Sequence, residues 1–138
     1  MLEMPEIPTL VDFPYITSEL GVLGVIEGTD ILPFPVSRVY FIHNVPPGAE
    51  RGSHAHKELK QLMMCLSGSV EVDLDDGDKT FSFVLKNPYQ AIQVPSGYWR
   101  TLKNFSIDAV LVVLASNDYQ ESDYIRDYAE FLDWRAKR

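Results

Sequence analysis

A chain of 138 residues, 46% hydrophobic and 23% charged, has the size of one ordinary domain with a buried core and no room for a second, so residues 1–138 are expected to form a single domain. Its formal net charge of -8 makes nucleic acid and anionic membrane surfaces poor partners, although a few buried arginines can still hold a nucleotide locally. Met1 to Thr9 carry prolines and two glutamates where an export signal needs basic residues and an apolar core. No apolar run is long enough to span a membrane, so a cytoplasmic setting is expected.

The first 20 residues give no firm pattern beyond a segment suited to a strand that crosses to a partner subunit. Arg38 to His43 read as a strand, followed by a loop containing Pro46, Pro47 and Gly48. Gln61 to Leu66 and Ser69 to Leu74 read as two strands joined at Ser67-Gly68. Cys65, the only cysteine, lies in the apolar run Leu62 to Leu66 and reads as a buried core thiol; no intrachain disulfide is possible. Asp75-Asp76-Gly77-Asp78 is a hairpin turn, because acidic residues tolerate left-handed geometry and glycine prefers it. Thr80 to Leu85 alternate polar and apolar as a half-buried strand does. Ala91 to Val94, Thr101 to Phe105 and Ala109 to Ala115 continue the series. Short strands at such spacing predict an all-β sandwich or barrel. From Asp123 to Trp134 the apolar residues recur at helical spacing, with Ser122-Asp123 as the expected cap of a C-terminal helix.

The chemistry is concentrated in Gly48 to Lys57. His54 and His56, two apart on a strand, project from one face, which in a barrel is either inside or outside. Here the sequence resembles the cupin superfamily. Gly48, His54, His56 and Gly68 stand at the places of its first motif, with Gln61 where the motif has glutamate. Pro95, Gly97 and Asn104 match the second motif, with Arg100 in place of its histidine. A cupin metal is held by histidines and a carboxylate. Arginine has no lone pair to give and stays charged, and Gln61 is neutral, so no metal and no other cofactor is expected. What remains is a pocket with two imidazoles, a guanidinium and an amide, suited to proton transfer beside a developing oxyanion.

A narrower resemblance runs from about Gly24 to Phe131. Ile31-Leu-Pro-Phe-Pro, Arg38-Val-Tyr40, Arg51-Gly-Ser-His54-Ala-His56-Lys57, Leu66-Ser-Gly68, Trp99-Arg100, Asn104-Phe-Ser, Leu114-Ala-Ser116 and Asp123-Tyr-Ile-Arg-Asp-Tyr128 are similar to the cupin sugar-nucleotide 3,4-ketoisomerases. The sequence departs from that pattern at Tyr89-Gln90-Ala91-Ile92, a segment expected to shape one pocket wall. The resemblance implies a jelly-roll β-barrel with a C-terminal helix, a metal-free homodimer, and a dTDP-linked 4-keto-6-deoxyhexose as substrate. Its product, a 3-keto sugar, would go on to 3-amino sugars of surface polysaccharide such as lipopolysaccharide O-antigen.

It also implies catalytic roles for His54 and His56, with Tyr40 in the pocket; on its own Tyr40 reads equally as a core aromatic. Arg51 suits a phosphate contact, Gln61 a histidine or sugar hydroxyl, and Arg100 the pocket rather than a surface ion pair. His43 carries no role, and Tyr124, Tyr128 and Trp134 read as packing or dimer contacts on the helix. The competing readings are a 3,5-epimerase on the same substrate, a non-catalytic sugar-nucleotide-binding cupin, and a metal-dependent dioxygenase.

Overall fold

The structure, a computed structural model, describes residues 3–138. Among the described residues eleven strands precede the C-terminal segment: β1 (Thr9–Asp12), β2 (Tyr15–Ser18), β3 (Gly21–Gly24), β4 (Arg38–His43), β5 (Arg51–His56), β6 (Gln61–Ser67), β7 (Val70–Asp75), β8 (Thr80–Leu85), β9 (Gln90–Val94), β10 (Trp99–Lys103) and β11 (Val110–Ala115). A two-residue strand, β12 (Tyr124–Ile125), and the helix α1 (Tyr128–Ala136) follow. All the strands but β2 and β3 form two facing five-stranded sheets, ordered β1-β9-β6-β11-β4 and β12-β5-β10-β7-β8, with every pairing antiparallel. This is the expected jelly roll with one C-terminal helix, built as a sandwich with open edges rather than one closed barrel.

The main core lies between the sheets. It joins Met63 and Cys65 of β6, Val70, Val72 and Leu74 of β7, Ile92 and Val94 of β9, Leu102 of β10, and Leu111 and Val113 of β11. Strand β6 reads as an unbroken apolar run because its other face is covered too. Leu62 and Met64 pack with Phe13, Phe34 and Ala91 beneath the N-terminal segment. Cys65 is buried in that core, and burial pushes its thiol up from its ordinary value, as expected for an inert thiol.

Two segments differ from the reading of the sequence. The N-terminal strand β1 pairs with β9 of its own chain, Thr9 opposite Gln93 through Asp12 opposite Gln90. The β2–β3 hairpin stands apart from both sheets and exposes Ile16, Val22 and Leu23. The helix begins at Tyr128, not near Asp123, and its cap is Asp127, whose carboxylate accepts the Glu130 backbone N–H at 3.0 Å. Its Phe131, with Ile125 and Ala55, covers the outer face of the second sheet. Residues 121–123 form a short 3₁₀ turn instead, and Tyr124 opposite His56 extends that sheet by one short rung.

Candidate active site

The site sits between the two sheets at one end. Tyr40 on β4 and Gln61 on β6 come from the first sheet; His54 and His56 on β5 and Arg100 on β10 come from the second. The ladder between β5 and β10 explains how the histidines are aimed. Arg100 pairs with His54 but Thr101 with Gly52, so Ser53 is an extra residue in a bulge, at φ +57°. Gly52 makes the bulge possible. At φ +92°, a Cβ there would lie 2.9 Å from the Arg100 carbonyl oxygen and 3.0 Å from its Cγ. Close approach of the two strands is therefore a condition for Arg100 to lie where it does.

A cavity of about 290 Å³ is lined by Tyr40, Arg51, His54 and Arg100, with Arg38, Tyr124 and Arg126 completing its polar wall. Four sequence-selected residues thus share one wall. His56 and Gln61 are not in that wall but directly behind it. The imidazole of His56 meets His54 edge-on at 5.0 Å between centroids, and Gln61 donates from Nε2 to the Tyr40 hydroxyl at 2.8 Å while accepting from the Arg100 guanidinium. His43 ends β4 exposed, stacked on Phe41 away from the cavity. Tyr89 and Ala91 do not shape the cavity as expected: Tyr89 stacks on Tyr15 at 4.0 Å, and Ala91 lies in the cluster under the N-terminal segment.

Each imidazole has a defined tautomer. Nδ1 of His54 lies 3.0 Å from the Gly52 carbonyl oxygen, an acceptor only, so Nδ1 carries the proton and Nε2 is left with its lone pair. Nδ1 of His56 lies 3.0 Å from Asp123 Oδ2, with the same consequence. Burial first, and the Arg100 cation second, push His54 down to about 4 and hold His56 well below the usual imidazole range. Although the His56–Asp123 contact has the spacing of an ion pair, it is a hydrogen bond from neutral imidazole to carboxylate. Burial also raises the Tyr40 phenol from its ordinary value, with Arg100 opposing, so its hydroxyl is a proton donor at neutral pH.

Arg100 is 1% exposed, and among the described residues no carboxylate lies within ion-pair distance of it. Its guanidinium reaches Gln61 and, at 3.5 Å, the Tyr98 carbonyl, and its Nε has no partner among the described residues. A buried cation with so few partners is available to an incoming anion. Arg38 lies over the rings of Tyr40 and Tyr119, while Arg126 covers Tyr124 and pairs with Glu121 at 2.8 Å. Among the described residues no three His, Cys, Asp or Glu side chains come together as metal ligands. The donor set of two imidazoles, an amide and a guanidinium fits no cupin metal.

Three contributors were not selected from the sequence. Arg38 and Arg126 line the cavity, and Asp123 holds His56. Tyr124, read as a helix packing residue, instead lies against both histidine rings, at 5.0 Å from His54 and 4.4 Å from His56. The tail motif Asp123-Tyr-Ile-Arg126 contained the signal, since Asp123 and Tyr124 belong to a turn and a rung rather than to helix.

The protein-family model described as FdtA, WxcM-like, C-terminal, matches residues 6–136. The chain belongs to this family. A relative, the TDP-4-oxo-6-deoxy-alpha-D-glucose-3,4-oxoisomerase of Aneurinibacillus thermoaerophilus, is 40% identical over 128 residues, covering 93% of this chain and 92% of the relative. A 3,4-ketoisomerase from Helicobacter canadensis superposes with a TM-score of 0.90 at 38% identity, over 94% of this chain and 97% of that one. A variant of the 3,4-ketoisomerase QdtA from Thermoanaerobacterium thermosaccharolyticum, in complex with TDP-4-keto-6-deoxyglucose, superposes at 0.92 with 37% identity and 98% of both chains covered. Among the described residues of this FdtA-family chain, no helix is long and apolar enough to cross a membrane.

Proposed function

We propose that this FdtA-family chain is a 3,4-ketoisomerase that converts a dTDP-linked 4-keto-6-deoxyhexose to its 3-keto isomer without a metal. The observation that carries the reading is one cavity wall holding a neutral histidine base, a phenol and an unpaired buried guanidinium, in a chain 40% identical to an oxoisomerase of that class. The C3 proton, acidified by the neighbouring carbonyl, passes to His54 Nε2, and the bond electrons form an enediolate across C3 and C4. Arg100 stabilises the developing oxyanion. Protons are then delivered to C4 and to the C4 oxygen while the O3 hydroxyl gives up its proton and C3–O3 becomes the carbonyl, so the two protons gained at C4 and O4 balance the two lost from C3 and O3; His56 and Tyr40 handle these transfers. Gln61 orients the Tyr40 hydroxyl, and Arg51, with Arg38 and Arg126, holds the pyrophosphate.

The 3-keto product is the substrate a transaminase needs to make a 3-amino sugar, which fits a cytoplasmic route to surface polysaccharide. We read residues 1–138 as one domain. Incubation with dTDP-4-keto-6-deoxyglucose in deuterium oxide, with chelator present, is expected to give a 3-keto product carrying deuterium at C4 by NMR. A 4-keto product of altered C3 or C5 configuration would instead establish an epimerase. No turnover until a divalent ion is added would establish a metal enzyme.

Exposed apolar side chains away from the cavity support a homodimer. Outward-facing Val39 and Phe41 on edge strand β4 are 56% and 64% exposed, and the β2–β3 hairpin exposes a second apolar set. Light scattering at micromolar concentration is expected to give twice the chain mass; the mass of one chain would rule the dimer out.

A further inference from the structure

The two histidines present the same nitrogen as a free lone pair, but different groups hold them. His54 donates to a backbone carbonyl, which no side-chain change can remove. His56 donates to a side chain, the Asp123 carboxylate. That carboxylate is itself fixed: Oδ1 accepts the Glu58 N–H at 2.7 Å and Oδ2 the Leu59 N–H at 3.4 Å. Its backbone is tied as well, the carbonyl accepting from Lys57 at 2.9 Å and the N–H donating to Gln120 at 3.0 Å. Asp123 thus clamps the turn after β5 to the 3₁₀ turn before β12. His56 is 1% exposed, so bulk water is not in a position to reset its tautomer.

We propose that Asp123 is a positioning residue for the isomerisation: it holds His56 as the Nδ1–H tautomer and stabilises the imidazolium that forms when His56 carries a proton. The second half of that role follows from the surroundings. A proton on His56 places a cation among Arg100, Arg38 and Arg126, all of which oppose it, and burial opposes it further. Asp123 is the one carboxylate hydrogen-bonded to the ring among the described residues. A carboxylate behind an imidazole selects the Nδ1–H tautomer and favours the protonated form together, whereas an amide carries no charge to favour the protonated form and can present an N–H that selects the opposite tautomer. The proposal rests on the isomerase reading above for the reaction, but not for the tautomer.

The test has two arms. Nitrogen-15 NMR of histidine-labelled protein near pH 7 is expected to show His56 protonated at Nδ1 and bare at Nε2. Asp123→Asn keeps an oxygen for the Glu58 N–H but turns an N–H toward the ring, so the His56 tautomer should invert. Its kcat should fall at least about 10²-fold, the range for losing one acid–base group, with KM little changed. In the double variant, Asp123→Asn should slow His56→Asn no further, because it acts through His56. Wild-type His56 protonated at Nε2 would overturn the proposal, whether or not the variant folds. So would full turnover by Asp123→Asn, or losses that multiply in the double variant. If the wild type forms no 3-keto product, the isomerase reading fails, while the NMR arm still decides whether Asp123 sets the tautomer.

Discussion

His54→Asn is expected to lower kcat by about 10²–10⁴-fold, the usual range for one acid–base group, while binding of the dTDP moiety survives. Asparagine keeps polarity and approximate shape but offers no basic nitrogen. The nucleotide should be unaffected because Arg38, Arg51 and Arg126, not the histidine, supply the positive wall. His43→Asn is the matched control. It lies on the outer face of β4 and should leave turnover at the wild-type rate.

The same assignment predicts a pH profile. A base must be neutral to accept the C3 proton. Burial and Arg100 hold His54 at about 4, below the ordinary 6.5, so it remains competent from neutral pH down to that value. The acid limb of kcat/KM for the free enzyme should therefore fall as pH drops through about 4, not through 6.5, and should vanish with His54→Asn. Near-normal isomerisation by His54→Asn would remove the residue from the mechanism. Loss of nucleotide binding in the same variant would make its role structural.

Arg100→Gln carries the second large effect, with opposite signs for activity and stability. Removing a donor poised for a developing oxyanion typically lowers rate by about 10²–10³-fold, so kcat/KM should drop by that order. Stability should not drop with it. The native guanidinium is fully buried, lacks a carboxylate partner and leaves Nε unsatisfied among the described residues. Such burial costs several kcal/mol per ion before any return interaction. Glutamine restores a neutral N–H toward Gln61 and removes the charge. The melting temperature should be unchanged or higher, and a fall of several degrees would mark Arg100 as a structural keystone instead. A site that holds an unneutralised cation in its free state keeps it at the expense of stability.

Much of this was legible from residue patterns, for identifiable reasons. Strands β4, β6, β7, β8 and β11 announced themselves because each has a face in the main core: β8 shows it by period-two alternation, and β6 and β11, covered on their second face as well, show it as unbroken apolar runs. Arg100 and Gln61 were legible as substitutions in a metal motif, and their mutual hydrogen bond confirms that they meet. Asp123 was read as a helix cap because Ile125, Tyr128, Phe131 and Leu132 are helically spaced, and that periodicity swept the start of the helix too far back. Strand β12 has two residues and exists only because Tyr124 and Ile125 pair with His56 and Ala55 of β5. No local pattern encodes a rung that short; tertiary pairing overrides propensity there. The β2–β3 hairpin was missed for a related reason: exposed on both faces, it lacks the half-buried alternation that marks a strand.

The arginine-lined cavity belongs to a molecule whose net charge is -8. An anionic nucleotide ester therefore meets two opposed fields on its way in, repulsive from afar and attractive at the mouth. The distance at which one gives way to the other is set by the surrounding electrolyte, whose screening length is about 30 Å at 0.01 M and about 10 Å at 0.1 M. Dilute buffer lets the acidic exterior govern the encounter, whereas moderate salt hides that exterior and leaves the mouth largely intact. Capture of ligand should thus be faster at moderate ionic strength than at very low, the reverse of what a wholly basic binding face would show.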